Sequence, residues 1–143
     1  MSRHLRRRAI PTLVKDRVNP NSVRLHQSIE RIRTGTAAQR DWAVLYQSCH
    51  FLAFSAAYSP ATSKKQAEAA AEVGYIACSA LKDRFEKTGK IGASGDELEA
   101  LKVFADGFDD FFLRASAAVE ERGHADLTRW LQQRQQTARA AAA

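Results

Sequence analysis

The sequence predicts an all-α fold, an up-and-down antiparallel bundle of four to five helices with a basic N-terminal arm. Apolar residues recur at spacings of three and four along most of the chain, whereas no segment alternates as a strand does. Only a few residues separate the long apolar stretches, which favours antiparallel neighbours. The length of 143 residues fits one domain with one hydrophobic core.

The excess positive charge is concentrated at the N-terminus. The chain has a net charge of +6, and this excess falls within the first 24 residues, where Asp16 is the single acid. The seven basic residues there are Arg3, Arg6, Arg7, Arg8, Lys15, Arg17 and Arg24. Guanidinium groups bind phosphate in bidentate fashion, so these residues are candidate nucleic-acid contacts. The alternatives are a solubilising arm, or an arm that contacts an acidic face of its own domain or an acidic partner.

Three segments follow from composition. Residues 1–18 form the basic arm, residues 19–132 the helical bundle, and residues 133–143 a tail of alanine, glutamine and arginine that we expect to fray. The frequent use of alanine and arginine also resembles the amino-acid usage of GC-rich bacteria or their mobile elements.

Cap residues place the first two helices. The first helix is predicted to start around residues 19–22, where Asn or Ser can cap it, and to end at Thr34-Gly35. The second is predicted to open at Thr36 as N-cap and to run to about Tyr58, before Ser59-Pro60. It is apolar over more than one face, which indicates a central helix or one shared with a partner.

The third helix, from about Ser63 to Lys87, has an inner face of small residues that permits close backbone approach. Ala69, Val73, Ile76 and Ala80 form a second contact face. The fourth helix is predicted to begin at the capping box of Ser94 and Glu97 and to end near Gly123, and the last to begin near Ala125.

The surplus apolar faces predict self-association or a protein partner. The candidate interface residues are Val44, Phe51, Phe54, Tyr58 and Trp130.

Candidate catalytic and metal sites have a simpler structural explanation. Cys49 and His50 are adjacent in sequence, so they point about 100° apart on a helix and do not serve each other as nucleophile and base. Glu121 and His124 match one half of a di-iron motif, but there is no second copy, and a break at Gly123 would separate them. We expect no metal site and no catalytic residue.

Three further patterns are interpreted as structural. The acid pairs Asp109-Asp110 and Glu120-Glu121 are typical of the solvated side of a helix. The glycine-rich loop at residues 89–95 is followed by acids that would repel a phosphate, unlike a P-loop. The turn at residues 34–36 is compatible with a helix-turn-helix, but the second helix is too apolar to enter a DNA groove.

No apolar run is long enough to span a bilayer, and no signal region follows the basic start. Both cysteines lie in helical apolar patterns, as buried thiols of a reducing, cytoplasmic compartment do. We therefore expect no membrane association. Because no catalytic or metal-binding pattern is present either, we also expect no cofactor and no small-molecule substrate.

The first expectation for function is a non-enzymatic interaction or adaptor protein, oligomeric, with the arm as an electrostatic contact. The alternative is a nucleic-acid-binding accessory or regulatory protein whose arm contacts the phosphate backbone. A small bundle enzyme is the third class, and it would require a buried cluster of His50 with carboxylates or with His124.

Overall fold

The structure, a computed structural model, describes residues 19–143. Over this range the chain is all-helical, which confirms the predicted fold class, and it forms five helices that pack against one another. They are α1 Pro20–Thr34, α2 Gln39–Ala56, α3 Ala61–Thr88, α4 Gly95–Arg114 and α5 Ala117–Ala142. The predicted basic arm, residues 1–18, lies outside the described residues.

The ends of α1 follow the predicted capping chemistry. Asn19 is the N-cap, and its Oδ1 accepts a hydrogen bond from the Asn21 amide at 2.9 Å. The helix ends at Gly35, which adopts a φ of 76°. A side chain at this left-handed φ would be strained, so glycine is the favoured residue at this C-terminal cap.

The start of α2 differs from the prediction. Ala38, not Thr36, is the N-cap residue, and the Thr36 hydroxyl instead lies 2.9 Å from the Thr34 hydroxyl. Alanine offers no side-chain acceptor at this position, but Asp41, in the first turn, caps the backbone from the other side, since its Oδ2 accepts from the Ala38 amide at 2.9 Å. The helix ends at Ala56, before the predicted Tyr58.

The break between α4 and α5 was missed by the sequence prediction. Ala115 is extended, with φ −65° and ψ 143°, and Ser116 caps a new helix by accepting from the Val119 amide at 3.3 Å. The predicted end at Gly123 was wrong, because this glycine lies buried inside α5. It allows close packing against Ser55 of α2: an added Cβ would lie 2.9 Å from the Ser55 Cα.

Helices α1 to α4 enclose the core. α2 contacts α1 and α3, and α4 contacts α3 and α1. The predicted small-residue face of α3 is buried, and Gly74 lets Phe104 of α4 and Cys49 of α2 approach closely. The largest fully buried apolar side chains are Phe104, Phe108, Leu25, Leu45, Leu52, Leu81 and Leu101.

Helix α5 packs on the outer side of α2. Gly123 lies near Ser55, and Arg134 lies near Tyr46, so the two helices run in opposite directions. The helix continues to Ala142, and every residue after Leu131 is exposed. Fraying of the tail stays a prediction.

Candidate functional site

The arm residues proposed as phosphate contacts, Arg3 to Arg17, lie outside the described residues. Arg24 lies in α1 and is exposed, and its Nη2 donates to Asn21 Oδ1 at 2.6 Å. Because that partner is a neutral amide, the charge of Arg24 is not neutralised by it.

Two carboxylates, one on α4 and one on α5, form hydrogen bonds with the start of α1. Asp109 accepts from Ser22 Oγ at 2.5 Å through one oxygen, and its other oxygen lies 2.7 Å from His26 Nε2. Asn19 Nδ2 donates to Glu120 at 3.3 Å. Although Ser, His and Asp meet here, the serine and histidine each contact the aspartate and are not hydrogen-bonded to each other. The histidine therefore does not activate the serine as a nucleophile.

Cys49 and His50 occupy different environments, as their adjacent positions predict. Cys49 is fully buried against Cys78, and this contact together with burial raises the pKa of the Cys49 thiol. A thiol with a raised pKa is a poor nucleophile at neutral pH. His50 is half-buried and lies 2.8 Å from the Tyr75 hydroxyl through Nδ1.

Glu121 and His124 lie on one continuous helix after all, because Gly123 does not break it. His124 is exposed and meets Phe51 edge-on, with ring centroids 6.2 Å apart. Within residues 19–143, no group of three or more potential ligands converges on a point where a metal ion could bind.

The glycine-rich loop ends in the predicted capping box. Ser94 Oγ accepts from the Glu97 amide at 3.2 Å, and Glu97 accepts from the Ser94 amide at 3.0 Å. Arg84 forms an ion pair with Glu97 and donates to Gly92 O at 2.7 Å. The Arg84 hydrogen bonds lower the pKa of the Glu97 carboxyl. Arg84 of α3 thus binds both the loop and the first turn of α4.

Helix α2 cannot act as a DNA-recognition helix in this fold. It is packed against α1, α3 and α5 at once, so insertion into a groove would require these helices to separate. Gln47, one of its few polar residues, lies in a cleft that also contains Thr128 and Leu131 of α5.

The five predicted interface residues are spread along the seam between α2 and α5 of the same chain and the core beside it. Phe51 is 3% exposed and packs on Phe112, with ring centroids 4.5 Å apart. Val44 lines a cleft with Leu127 and Leu131. Tyr58 is 38% exposed, and its hydroxyl donates to Asp126 at 2.5 Å. Contact of these residues with another protein stays a prediction.

An aromatic layer fills the middle of this seam. Trp130 of α5 lies over His50, with ring centroids 4.0 Å apart, and near Phe54 at 6.5 Å. Arg134 covers the outer side, because its guanidinium carbon lies 4.8 Å from the Trp130 centroid. Burial and the nearby Arg134 charge lower the pKa of His50. Both effects disfavour the protonated form of this histidine within the layer.

The second face of α3 remains uncovered in the described part of the chain. Ile76 is 64% exposed, and Val103 of the adjacent α4 is 51% exposed. An added Cβ at Gly107 of α4 would meet Ala70, and one at Gly74 would meet Phe104, so α3 and α4 run in opposite directions. This pairing puts Ile76 and Val103 at nearly the same height along the two helices.

Val73 is half-buried and lies one helical turn from both Ala70 and Ile76, so it connects the exposed Ile76 with the edge of α3 that faces α4. Val103 lies one turn from Gly107 on the corresponding edge of α4. We call Val73, Ile76 and Val103 the outer α3–α4 face.

The chain matches no family model, no curated protein and no solved structure. Within residues 19–143, none of the helices combines the length and apolar character that a membrane crossing requires.

Proposed function

We propose that the protein is a non-enzymatic interaction protein, an up-and-down helical bundle with a basic arm, which self-associates through the outer α3–α4 face. The observation that carries this proposal is the exposure of Ile76 and Val103 at one height on adjacent helices. Helix α5 already covers the surplus apolar face of α2, so α3 and α4 carry the apolar face that a second copy would cover. Homo-oligomers commonly pair one patch with itself around a two-fold axis.

The chemistry of the polar side chains supports a non-enzymatic role. Asp109 holds α1, Asp41 caps α2, and the buried Cys49 thiol is held protonated. Such a protein needs no cofactor, metal ion or small-molecule substrate. The two free, buried cysteines also support the proposed cytoplasmic location.

Light scattering after size-exclusion chromatography tests the self-association over a concentration series. We expect the mass of the wild type to rise with concentration, and the mass of the double variant Ile76→Glu/Val103→Glu to stay at that of one chain. Leu113→Glu is the control for a charge placed on an exposed apolar residue, because Leu113 is 58% exposed and its ten-residue separation from Val103 turns it to a different side of α4. A wild type that stays monomeric at high concentration would refute the proposal.

Nucleic-acid binding through the arm is the second candidate, and the charge distribution favours it. Deletion of residues 1–17 removes six basic residues and one acid, and leaves a nearly neutral body. Full-length protein should bind generic DNA or RNA with an affinity that falls steeply with salt, and the deletion should abolish binding. Binding that survives the deletion, or no binding at low salt, would count against this role.

A further inference from the structure

A second apolar surface lies between the start of α2 and the last turns of α3. It is a groove of about 500 Å³, and its large apolar side chains are Trp42, Phe85 and Ile91. All three are half-buried, so each presents part of its surface to the groove while the rest is held by the protein. We call this surface the Trp42 groove.

Trp42 is held in one orientation. Its Nε1 donates to the Cys78 carbonyl at 2.9 Å, and its ring stacks on Tyr46 with centroids 4.9 Å apart and planes inclined by 18°. A ring fixed on two sides loses little freedom when a ligand covers its remaining surface. Rigid aromatic anchors of this kind contribute strongly to binding at protein interfaces.

The rim of the groove is cationic. Arg40 and Lys82 are exposed on its two sides, and neither has a carboxylate within 4.0 Å in residues 19–143. Glu86 is the acid on this rim. Gln39 and Arg40 are the first residues of α2, so the positive end of that helix dipole also lies at the groove. An apolar floor whose rim has two cations and one acid keeps a net positive charge, which is complementary to an apolar group flanked by carboxylates.

We infer that the Trp42 groove binds an acidic amphipathic peptide segment of a partner protein. An apolar side chain of the peptide lies against Trp42 and Phe85, and its neighbouring carboxylates pair with Arg40 and Lys82. The volume suits such an anchor, since ligand pockets commonly span about 300–1,000 Å³. This inference rests on the proposed role as an interaction protein, but it uses a surface separate from the outer α3–α4 face.

Charge argues against two other occupants. The N-terminal arm of this chain carries six basic residues against one acid, so Arg40 and Lys82 would repel it. A nucleic-acid strand would need a continuous track of cations, whereas Glu86 interrupts the rim and Tyr46 already covers one face of Trp42.

Fluorescence polarisation with three labelled probes tests the inference. The first is a short peptide that places phenylalanine and leucine among glutamates, the second is the same peptide with lysine in place of glutamate, and the third is single-stranded oligothymidine. Of the two peptides, only the acidic one should bind with saturation, and oligothymidine bound through the arm should not displace it. No binding of the acidic peptide, or equal binding of the lysine peptide, would overturn the inference, as would displacement of the acidic peptide by the oligonucleotide.

Surface variants locate the site without disturbing the core. Arg40→Glu/Lys82→Glu should weaken binding of the acidic peptide by about tenfold or more, because two charge pairs become repulsive. Lys65→Glu/Lys102→Glu changes the net charge equally at exposed positions outside the groove and should leave binding unchanged. Equal losses in both variants would show non-specific attraction and refute the site.

Two cross-checks separate this inference from the proposed self-association. The Ile76→Glu/Val103→Glu variant should keep the peptide affinity of the wild type, and the Arg40→Glu/Lys82→Glu variant should keep its concentration-dependent mass. Loss of peptide binding in the first variant would refute a separate groove, whereas a monomeric wild type that binds the peptide would refute self-association alone.

Discussion

The two sides of helix α2 pack in different ways. On its core side, Leu45 and Leu52 are fully buried in the same cluster as Phe104 and Phe108 of α4. Toward α5 it presents His50, Phe54 and other rings that are half-buried and covered by one added helix. The core side is made mainly of fully buried apolar side chains, whereas the middle of the α5 side is a half-buried histidine and aromatic rings covered by Arg134. A surplus apolar face on a central helix can therefore be covered by another helix of the same chain.

The core should show the largest response to truncation. Phe104→Ala removes a fully buried ring at the centre of the four-helix core, and we expect it to lower the free energy of unfolding by about 3–5 kcal/mol. Urea denaturation followed by circular dichroism measures this loss. Leu113→Ala, at a site 58% exposed, should change stability by less than about 0.5 kcal/mol. Similar losses in the two variants would contradict the assigned core.

Within the seam, substitution should destabilise the protein most where α5 and α2 approach each other most closely. Gly123→Ala adds a Cβ that would lie 2.8 Å from Ser55 Cβ, so α5 must move away from α2. We expect the free energy of unfolding to fall by about 3 kcal/mol, or α5 to detach from α2, although alanine is intrinsically the better helix former. Trp130 fluorescence should shift to longer wavelength as the ring becomes exposed.

Gly95→Ala serves as the control for this substitution, because an added Cβ there meets nothing within 4 Å. Its tryptophan fluorescence should match that of the wild type. A Gly123→Ala protein with the same fluorescence and stability as the wild type would show that α5 does not pack closely on α2.

Asp41 is a charged group buried at the edge of the core, and we expect its substitution to lower stability by an intermediate amount. Burial alone would raise the pKa of this carboxyl, but hydrogen bonds from the Ala38 amide, Arg31 and Ser28 outweigh it and lower the pKa. A lowered pKa stabilises the fold above about pH 3.9, the ordinary value, and this stabilisation is lost as the pH falls below it.

Asp41→Asn should therefore cost about 2 kcal/mol near neutral pH, and the difference from the wild type should shrink in acid. Urea midpoints measured across this pH range check both expectations, with the exposed Asp106→Asn as control. A difference that grows on acidification would reverse the assigned sign.

The smallest expected effect is the pH dependence of the seam. Because the pKa of His50 is lowered in the fold, the unfolded chain takes up a proton near pH 6.5 that the folded chain does not. Stability should thus fall as the pH drops below about 6.5. Arg134 and the Tyr75 hydroxyl face this ring from α5 and α3, and neither supplies a negative charge that would hold a protonated histidine.

His50→Gln keeps a polar partner for Tyr75 but cannot titrate in this range. The wild type should lose more stability than this variant between about pH 7 and pH 5 in parallel urea titrations. Equal losses would show that His50 titrates as it does in water.

Helix identity was predictable because local signals define it. The Ser94 capping box, the Gly35 end of α1 and the small-residue face of α3 depend on neighbours in sequence. The predicted helix end at Gly123 was wrong, because the sequence does not distinguish a glycine that ends a helix from a glycine that allows two helices to pack closely. Ser55, its partner, lies 68 positions earlier.

The interaction surfaces required tertiary information. The spacing of Val44, Phe51 and Phe54 indicated that the second helix is apolar over more than one face, but only the structure shows that α5 packs beside Val44 and Phe54. The Trp42 groove combines α2, α3 and the loop that contains Ile91, and no single helical pattern reveals that combination. Ser116, followed by Glu120, was the local signal that could have located the start of α5.

A concentration series of NMR spectra tests the contrast between the two apolar faces most directly. The methyl signals of Ile76 and Val103 should shift as the protein concentration rises, because a second copy covers the outer α3–α4 face. The indole signal of Trp130 should stay unchanged, because α5 already covers that side of α2. A shift of Trp130 with unchanged Ile76 and Val103 signals would contradict the account.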